Sequence, residues 1–110
     1  MKYVIFGSMS DRRNAFIFDI IMKTKNKGCE YKTTTTGTSI SSFSCDNDEY
    51  IIISYEDRLR GRRLSDYTFL IDGHNDNDIM IACSHSYNIP ISWDDYLESI
   101  SKNRYVVELL

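Results

Sequence analysis

The strongest constraint on the fold is an apolar segment near the start of the chain, followed by a glycine and a helical pattern. Lys2–Phe6 is an almost continuous apolar run, which is typical of a strand buried on both faces. Gly7 interrupts the run, and Ser10 and Asp11 then have the residue types of a helix N-cap and first turn. A strand that is buried on both faces needs a packed layer on each side. This unit therefore predicts an α/β domain.

Several later segments also have the composition of strands. They are rich in Thr, Tyr or Ile and are separated by turn residues, and they are Cys29–Thr36, Thr38–Ser44, Glu49–Tyr55 and Tyr67–Asp72. The two segments that contain Ile-rich runs, Glu49–Tyr55 and Tyr67–Asp72, are the clearest of these. The first helix, beginning near Ser10, is predicted to end at Gly28.

The last third of the chain leaves one element open. Ile79–Cys83 fits either a short helix capped by Asp76 or the return strand of a hairpin, because periodicity cannot decide so short a run. Ser92 predicts the N-cap of another helix, and Arg104–Leu109 predicts a final strand. The sequence therefore predicts one α/β domain over residues 1–110. Its sheet would be mostly parallel or mixed, with about five strands and two to three helices in two or three layers.

Composition excludes several classes of protein. A chain of 110 residues is one domain by length, and a net charge of −3 provides no overall field that would attract nucleic acid. The three cysteines show no close pairing, which predicts reduced, buried thiols in a cytoplasmic protein. No signal peptide and no membrane-spanning apolar run is found, so no membrane partner is predicted. Frequent Asn, Ile, Tyr and Asp, with few Pro and Ala, fit an AT-rich genome such as that of a low-GC bacterium or of many phages.

The first turn has the position of a phosphate-binding loop. A strand, a glycine and a helix N-terminus together aim backbone N–H groups at an anion. The Walker pattern is G-x-x-x-x-G-K-[ST], and Gly7–Asn14 keeps its first glycine but has Arg12, Arg13 and Asn14 at the last three positions. Arginine is larger and flatter than the compact lysine, and asparagine lacks the Mg²⁺-binding hydroxyl. The turn therefore predicts an anion site without NTPase catalysis, formed by Gly7, Ser8, Ser10, Arg12, Arg13 and Asn14.

A second segment resembles part of the phage terminase large subunits and related P-loop ATPases. In that family an Arg-Gly stretch precedes a hydrophobic strand that ends in the Walker B acid. Here Arg60–Leu64 is similar to the Arg-Gly stretch, and Tyr67–Asp72 is similar to the strand with its terminal acid. Together with the first turn, the resemblance covers about half the chain and implies a reduced, degenerate P-loop core in which Asp72 binds Mg²⁺ with a nucleotide. The family has a catalytic Glu after the acid, whereas this chain has Gly73, which implies that hydrolysis is absent.

The resemblance makes a geometric prediction. Phe6 and Ile71 should lie on adjacent parallel strands, so that Gly7 and Asp72 share one edge of the sheet. The alternative is a hairpin between Tyr67–Asp72 and Ile79–Cys83, far from Gly7.

The same first turn is similar to a loop of another family. Gly7–Asp11 matches the Gly-Ser-x-Ser-Asp loop of the aminoimidazole ribonucleotide carboxylase/mutase family, which binds a phosphorylated ribonucleotide. Nothing downstream of Asp11 matches that family. Both resemblances place an anion at the same turn.

The strongest local charge contrast is the arginine loop, defined here as Arg58–Arg63. It holds Arg58, Arg60, Arg62 and Arg63, four of the seven arginines of an acidic protein. Such a loop either contacts phosphates or an acidic partner, or is simply solvated. Tyr55, Tyr87 and Tyr105 are candidates for exposed aromatic side chains at an interface.

The leading hypothesis is a non-enzymatic binding protein. It would be a phage-encoded inhibitor or accessory factor that engages a protein partner through the arginine loop in a host–virus interaction, without a cofactor. The alternative is a nucleotide- or phosphate-binding enzyme that uses Gly7–Asn14 and Asp72 with Mg²⁺. A third hypothesis is single-stranded nucleic-acid binding through the arginine loop, which the acidic net charge disfavours.

Overall fold

A computed structural model of the chain describes residues 1–7, 10–24, 29–33, 40–45, 47–54 and 56–109. The strands are β1 (Lys2–Phe6), β2 (Cys29–Thr33), β3 (Ile40–Cys45), β4 (Asp48–Ile53), β5 (Thr68–Ile71) and β6 (Ile91–Ser92). The helices are α1 (Ser10–Thr24), α2 (Asp76–His85) and α3 (Trp93–Leu109), and a short 3-10 helix covers Glu56–Leu59. Ser8, Gly28 and Tyr55, to which the sequence assigned roles, lie outside the described residues.

The strands form one mixed sheet in the order β2-β3-β4-β1-β5-β6. Strand β1 pairs in parallel with both β4 and β5, and β5 pairs in parallel with β6. Strand β3 is antiparallel to its neighbours β2 and β4. The central place of β1 explains its apolar run, since Tyr3 to Phe6 are buried and both edges of the strand are paired. The predicted α/β class with a mixed sheet is confirmed. The sheet has six strands where about five were expected, and the additional strand, β6, has only two residues.

Each face of the sheet carries its own core, so the domain has three layers. On one face, α1 and α3 pack on the sheet through Tyr3, Ile5, Phe16, Ile17, Ile20, Phe43, Cys45, Tyr50, Leu70, Trp93 and Tyr96. On the other face, α2 and the β4–β5 connection pack through Val4, Phe6, Ile53, Leu59, Leu64, Phe69, Ile71, Ile81 and Ala82. Alternate residues of β1 enter opposite cores, as the period of a strand requires.

Two expectations for the last third of the chain are corrected. Ile79–Cys83 lies in helix α2, and the N-cap is Asn75 rather than Asp76, because the Asn75 side chain accepts a hydrogen bond from the backbone N–H of Asn77 at 2.9 Å. The predicted strand Arg104–Leu109 is wrong, since α3 continues to Leu109. No glycine or proline interrupts α3, and extending an existing helix gains a backbone hydrogen bond per residue.

The N-terminus of α3 agrees with its sequence signal. The Ser92 hydroxyl accepts a hydrogen bond from the backbone N–H of Asp95 at 3.2 Å. This bond satisfies one of the backbone donors that every helix start leaves without a partner. The predicted cap at Ser92 is confirmed.

The cysteines differ from their expected state. Cys45 is disulfide-bonded, and Cys83 is an exposed free thiol. Cys45 lies opposite Cys29 in the pairing of β2 with β3. The expectation of reduced, buried thiols is therefore wrong for both residues. Cys45 is oxidised, and Cys83 is exposed instead of buried. The strand pairing that decides this is not visible in the spacing of the cysteines.

None of the helices formed by the described residues has both the length and the apolar character that crossing a bilayer requires.

Candidate functional site

The carboxyl ends of three parallel strands lie side by side. Phe6 at the end of β1 is opposite Ile53 of β4 on one side and Ile71 of β5 on the other. Gly7 and Asp72, which follow two of these residues, therefore share one edge of the sheet. The predicted adjacency of Phe6 and Ile71 is confirmed, and the alternative hairpin is wrong. This edge is the usual ligand position in open parallel sheets.

Arg13 ties the start of α1 to two of these strand ends. Its Nη1 donates a hydrogen bond to the carbonyl oxygen of Gly7 at 3.0 Å and another to the hydroxyl oxygen of Ser54 at 2.5 Å. Ser54 directly follows β4 and lies 41 residues away in the chain, so no local sequence signal could have identified it. When the Walker pattern is aligned at Gly7, Arg13 stands at the position of its lysine. Here its guanidinium is hydrogen-bonded to the Gly7 backbone and the Ser54 side chain.

Arg12 is engaged with the acid at the end of β5. Its Nη1 lies 3.1 Å from Oδ1 and 3.2 Å from Oδ2 of Asp72. Asp72 is buried, whereas Arg12 is nearly half exposed, so solvent screens the pair from one side only. Asp72 Oδ1 accepts no well-aligned hydrogen bond from any described residue, so the guanidinium is its main stabilising charge.

The pairing of Arg12 with Asp72 decides how well a metal would fit. A Mg²⁺ ion on the Asp72 oxygens would meet the positive guanidinium at ion-pair distance. Within the described ranges, no group of three His, Cys, Asp or Glu side chains is arranged to hold a metal ion. The P-loop resemblance implies a Mg²⁺ site at Asp72. The residues present do not fit that site as long as Arg12 is paired with Asp72.

Gly7 is required by packing. A Cβ atom at this position would lie 2.9 Å from Cη2 and Cζ2 of the Trp93 ring. The indole is buried, stacks on Phe16 with ring centroids 5.3 Å apart, and donates its Nε1–H to the carbonyl oxygen of Leu70 at 2.8 Å. The space beside Gly7 is thus filled by tryptophan, and that contact is sufficient to explain the glycine.

Gly7→Ala is expected to lower the free energy of unfolding by about 1–3 kcal/mol, because the new methyl group overpacks the indole. Urea denaturation followed by circular dichroism measures the change. The matched background is Trp93→Phe, which removes both indole carbons that the methyl would meet. The cost of Gly7→Ala should shrink in that background. An equal cost in both backgrounds would show that the glycine is needed for another reason.

Gly73 explains why no glutamate follows Asp72. Its φ is +84°, and a Cβ there would lie 2.9 Å from Cβ of Ser92. A larger residue would be strained by the backbone and by the contact together. The position of the catalytic Glu in the ATPases is therefore closed to side chains in this fold.

Asp78 places a second carboxylate near Asp72. Asp78 is buried in the first turn of α2, and burial together with the charge of Asp72 raises the pKa of Asp78. The folded protein thus binds a proton at Asp78 more tightly than the unfolded chain does. The contribution of Asp78 to the free energy of unfolding is therefore lost as the pH rises. The loss begins near the pKa of Asp78 in the unfolded chain, about 3.9, and is complete above its pKa in the folded protein.

Asp78→Asn is expected to raise the free energy of unfolding at neutral pH, because the amide carries no charge to bury. The gain should disappear below about pH 4, where the carboxyl is protonated in both states. Asp76→Asn is the control, since Asp76 is exposed in the same first turn. Thermal unfolding across this pH range measures both variants. A gain that persists in acid would contradict the assignment to Asp78 ionisation.

The arginine loop is exposed but firmly attached. Its four arginines are exposed, while Leu59 within the loop and Leu64 directly after it are buried in the α2-side core. Gly61 has a φ of +76°, and the N–H of Arg62 donates to the carbonyl oxygen of Leu59 at 3.2 Å, which closes a turn. Two leucines therefore anchor the loop, and its start lies in the 3-10 helix.

The guanidinium groups of the arginine loop have no protein partner within the described part of the chain. No hydrogen bond or ion pair to a described residue engages the side chain of Arg58, Arg60, Arg62 or Arg63. None of them joins the Arg12–Asp72 pair. Asn14 is also exposed, and Ser10 begins α1.

Comparison of the chain with known protein families, curated proteins and solved structures finds no match.

Proposed function

We propose that this protein is a non-enzymatic binding protein that engages a protein partner through the arginine loop. The observation that supports this most directly is the group of four exposed arginines that bind no other described residue, on a chain of net charge −3. Guanidinium groups form paired hydrogen bonds with carboxylates, so the loop is suited to an acidic protein surface.

The anchoring of the loop supports the same proposal. Leu59 and Leu64 are almost fully buried, which holds the backbone that carries the arginines in place before any partner arrives. A loop ordered in advance loses less conformational entropy on binding than a mobile one.

The Gly7 edge supports the non-enzymatic part of the proposal. Arg12 and Arg13 already bind Asp72, Gly7 and Ser54, and Gly73 excludes a catalytic glutamate. We further propose that the protein is a phage-encoded inhibitor or accessory factor, on the basis of its AT-rich residue usage and its terminase-like but degenerate motifs. The cytoplasmic location stays a prediction, and the disulfide at Cys45 weighs against it, because reducing compartments keep thiols reduced.

Replacement of Arg60, Arg62 and Arg63 together with alanine is expected to abolish capture of the partner from extracts of the source cells. The free energy of unfolding should change by no more than about 0.5 kcal/mol per site, because all three side chains are exposed. The matched control replaces the same three residues with lysine, which keeps the charge but loses the planar donor pair, and should retain weak capture. Undiminished capture by the alanine variant would remove the proposal.

The nucleotide-binding alternative is favoured by one observation, the common sheet edge of Gly7 and Asp72. Calorimetry with ATP, GTP and their monophosphates distinguishes it. Binding that is lost in Arg13→Ala, in a variant whose unfolding shows that it is still folded, would support an anion site at this edge. Binding to oligonucleotides that weakens steeply with salt would instead support the nucleic-acid alternative.

A further inference from the structure

The turn after α2 exposes two large apolar side chains. Tyr87 is 89% exposed and Ile89 is 85% exposed, which makes them the most exposed large hydrophobic residues in the described ranges. The residue before them, Ser86, is buried. The turn is therefore attached to the domain by its polar residue, while its apolar side chains face water. This is the reverse of what folding alone favours.

Hydrogen bonds hold this turn against the segment that continues the arginine loop. The backbone N–H of Tyr87 donates to the carbonyl oxygen of Ser65 at 3.1 Å. The Asn88 side-chain amide donates to the carbonyl oxygen of Asp66 at 3.1 Å, and the Ser86 hydroxyl donates to that of Tyr67. Ser65 lies two residues after Arg63, so the turn and the loop are neighbouring parts of one surface.

The order of this turn makes its exposed side chains effective binding groups. The Ser86 hydroxyl also accepts a hydrogen bond from the backbone N–H of Asn88 at 3.0 Å, which fixes the turn internally. Tyrosine and arginine are the residue types most enriched among those that contribute strongly to protein interfaces. A side chain on a fixed backbone keeps most of its contact energy on binding, because little ordering remains.

We infer that Arg60, Arg62, Arg63, Tyr87 and Ile89 form a single docking surface for a protein whose carboxylates surround an apolar pocket. The arginines would pair with the carboxylates, and Tyr87 and Ile89 would enter the pocket. This inference rests on the proposed function and names the chemistry of its partner. A protein fits better than a nucleic acid because Ile89 fits an apolar pocket but offers no stacking surface to a base.

The test uses a random peptide library displayed on filamentous phage and selected on the immobilised full chain. The enriched peptides should combine Asp or Glu with an apolar or aromatic residue. Titration of synthetic copies should show binding weakened about tenfold or more by the double variant Tyr87→Ser/Ile89→Ser. The Arg60→Ala/Arg62→Ala/Arg63→Ala variant should weaken the same peptides by at least as much.

The matched control is Phe18→Ser/Met22→Ser. These residues are also large, apolar and exposed, at 61% and 58%, but they lie on α1, which packs on the opposite face of the sheet. The control should leave peptide binding unchanged. Each variant is first checked by thermal unfolding. Substitutions at these exposed positions should lower the free energy of unfolding only slightly.

The outcomes separate the inference from the proposed function. Peptide binding that requires the arginines but not Tyr87 and Ile89 would overturn the inference and leave the proposed function standing. Enrichment of no peptide, or of peptides that bind both variants normally, would overturn the inference and count against the proposed function. Tighter binding to a fluorescent oligothymidine, with steep salt dependence, would replace both by a nucleic-acid function.

Discussion

Trp93→Ala is expected to destabilise the protein by about 3–5 kcal/mol, a large part of the stability of a domain of this size. Trp93 is buried at the start of α3, stacks on Phe16, and fills the space beside Gly7. Its removal leaves a cavity between α1, α3 and the sheet. It also leaves the carbonyl oxygen of Leu70 without the indole N–H that it accepts at 2.8 Å.

Urea denaturation followed by far-ultraviolet circular dichroism measures the Trp93 effect, since the variant has no tryptophan fluorescence. Trp93→Phe is the matched control, because it keeps an aromatic ring beside Phe16 but loses the N–H and the outer ring. Its cost should be smaller than that of alanine. A loss below about 1 kcal/mol for Trp93→Ala would contradict the packing described at Gly7, because such a value is typical of surface positions.

Leu59→Ala is expected to destabilise the protein by about 2–5 kcal/mol and to loosen the arginine loop. Leu59 is only 1% exposed and packs in the α2-side core, while the arginines on either side of it are exposed. The leucine therefore connects the proposed binding surface to the stability of the domain. If the proposed function holds, partner binding should weaken although no arginine has been changed.

Two measurements are needed for Leu59→Ala. Urea denaturation gives the loss of stability, and hydrogen–deuterium exchange gives the opening of the backbone around the arginine loop. The control is Arg60→Ala, which removes an exposed neighbour and should change stability by about 0.5 kcal/mol or less. Unchanged exchange in Leu59→Ala would show that the loop keeps its conformation without this anchor.

The secondary structure could be predicted wherever a local pattern was strong. The apolar run identifies β1, and the cap at Ser92 identifies the start of α3, because strand burial and helix capping are set by neighbouring residues. Arg104–Leu109 was predicted as a strand because Tyr and Val favour strands, but that preference depends on a neighbouring strand with which to pair. The chain continues the helix there instead.

The candidate sites could be predicted as lists of residues and, for Gly7 and Asp72, as a shared edge of the sheet. The arginine loop is visible from its charge, and the exposure of Tyr87 was expected. The residues that bind Arg12 and Arg13 were not predicted, because Asp72 and Ser54 lie 60 and 41 residues away in the chain. Such pairs depend on the order of strands in the sheet, which the periodicity of a single segment does not contain.

The sequence by itself determined the α/β class, the concentration of arginines between β4 and β5, and the absence of a Walker lysine and a catalytic glutamate. These are properties of single residues and of short periodic segments. The tertiary structure alone decided that Arg12 pairs with Asp72, that tryptophan occupies the space beside Gly7, and that Tyr87 is hydrogen-bonded to Ser65, just after the arginine loop. Each of these contacts joins residues far apart in the chain. Only the packing of β1, β5 and their helices brings them within bonding distance.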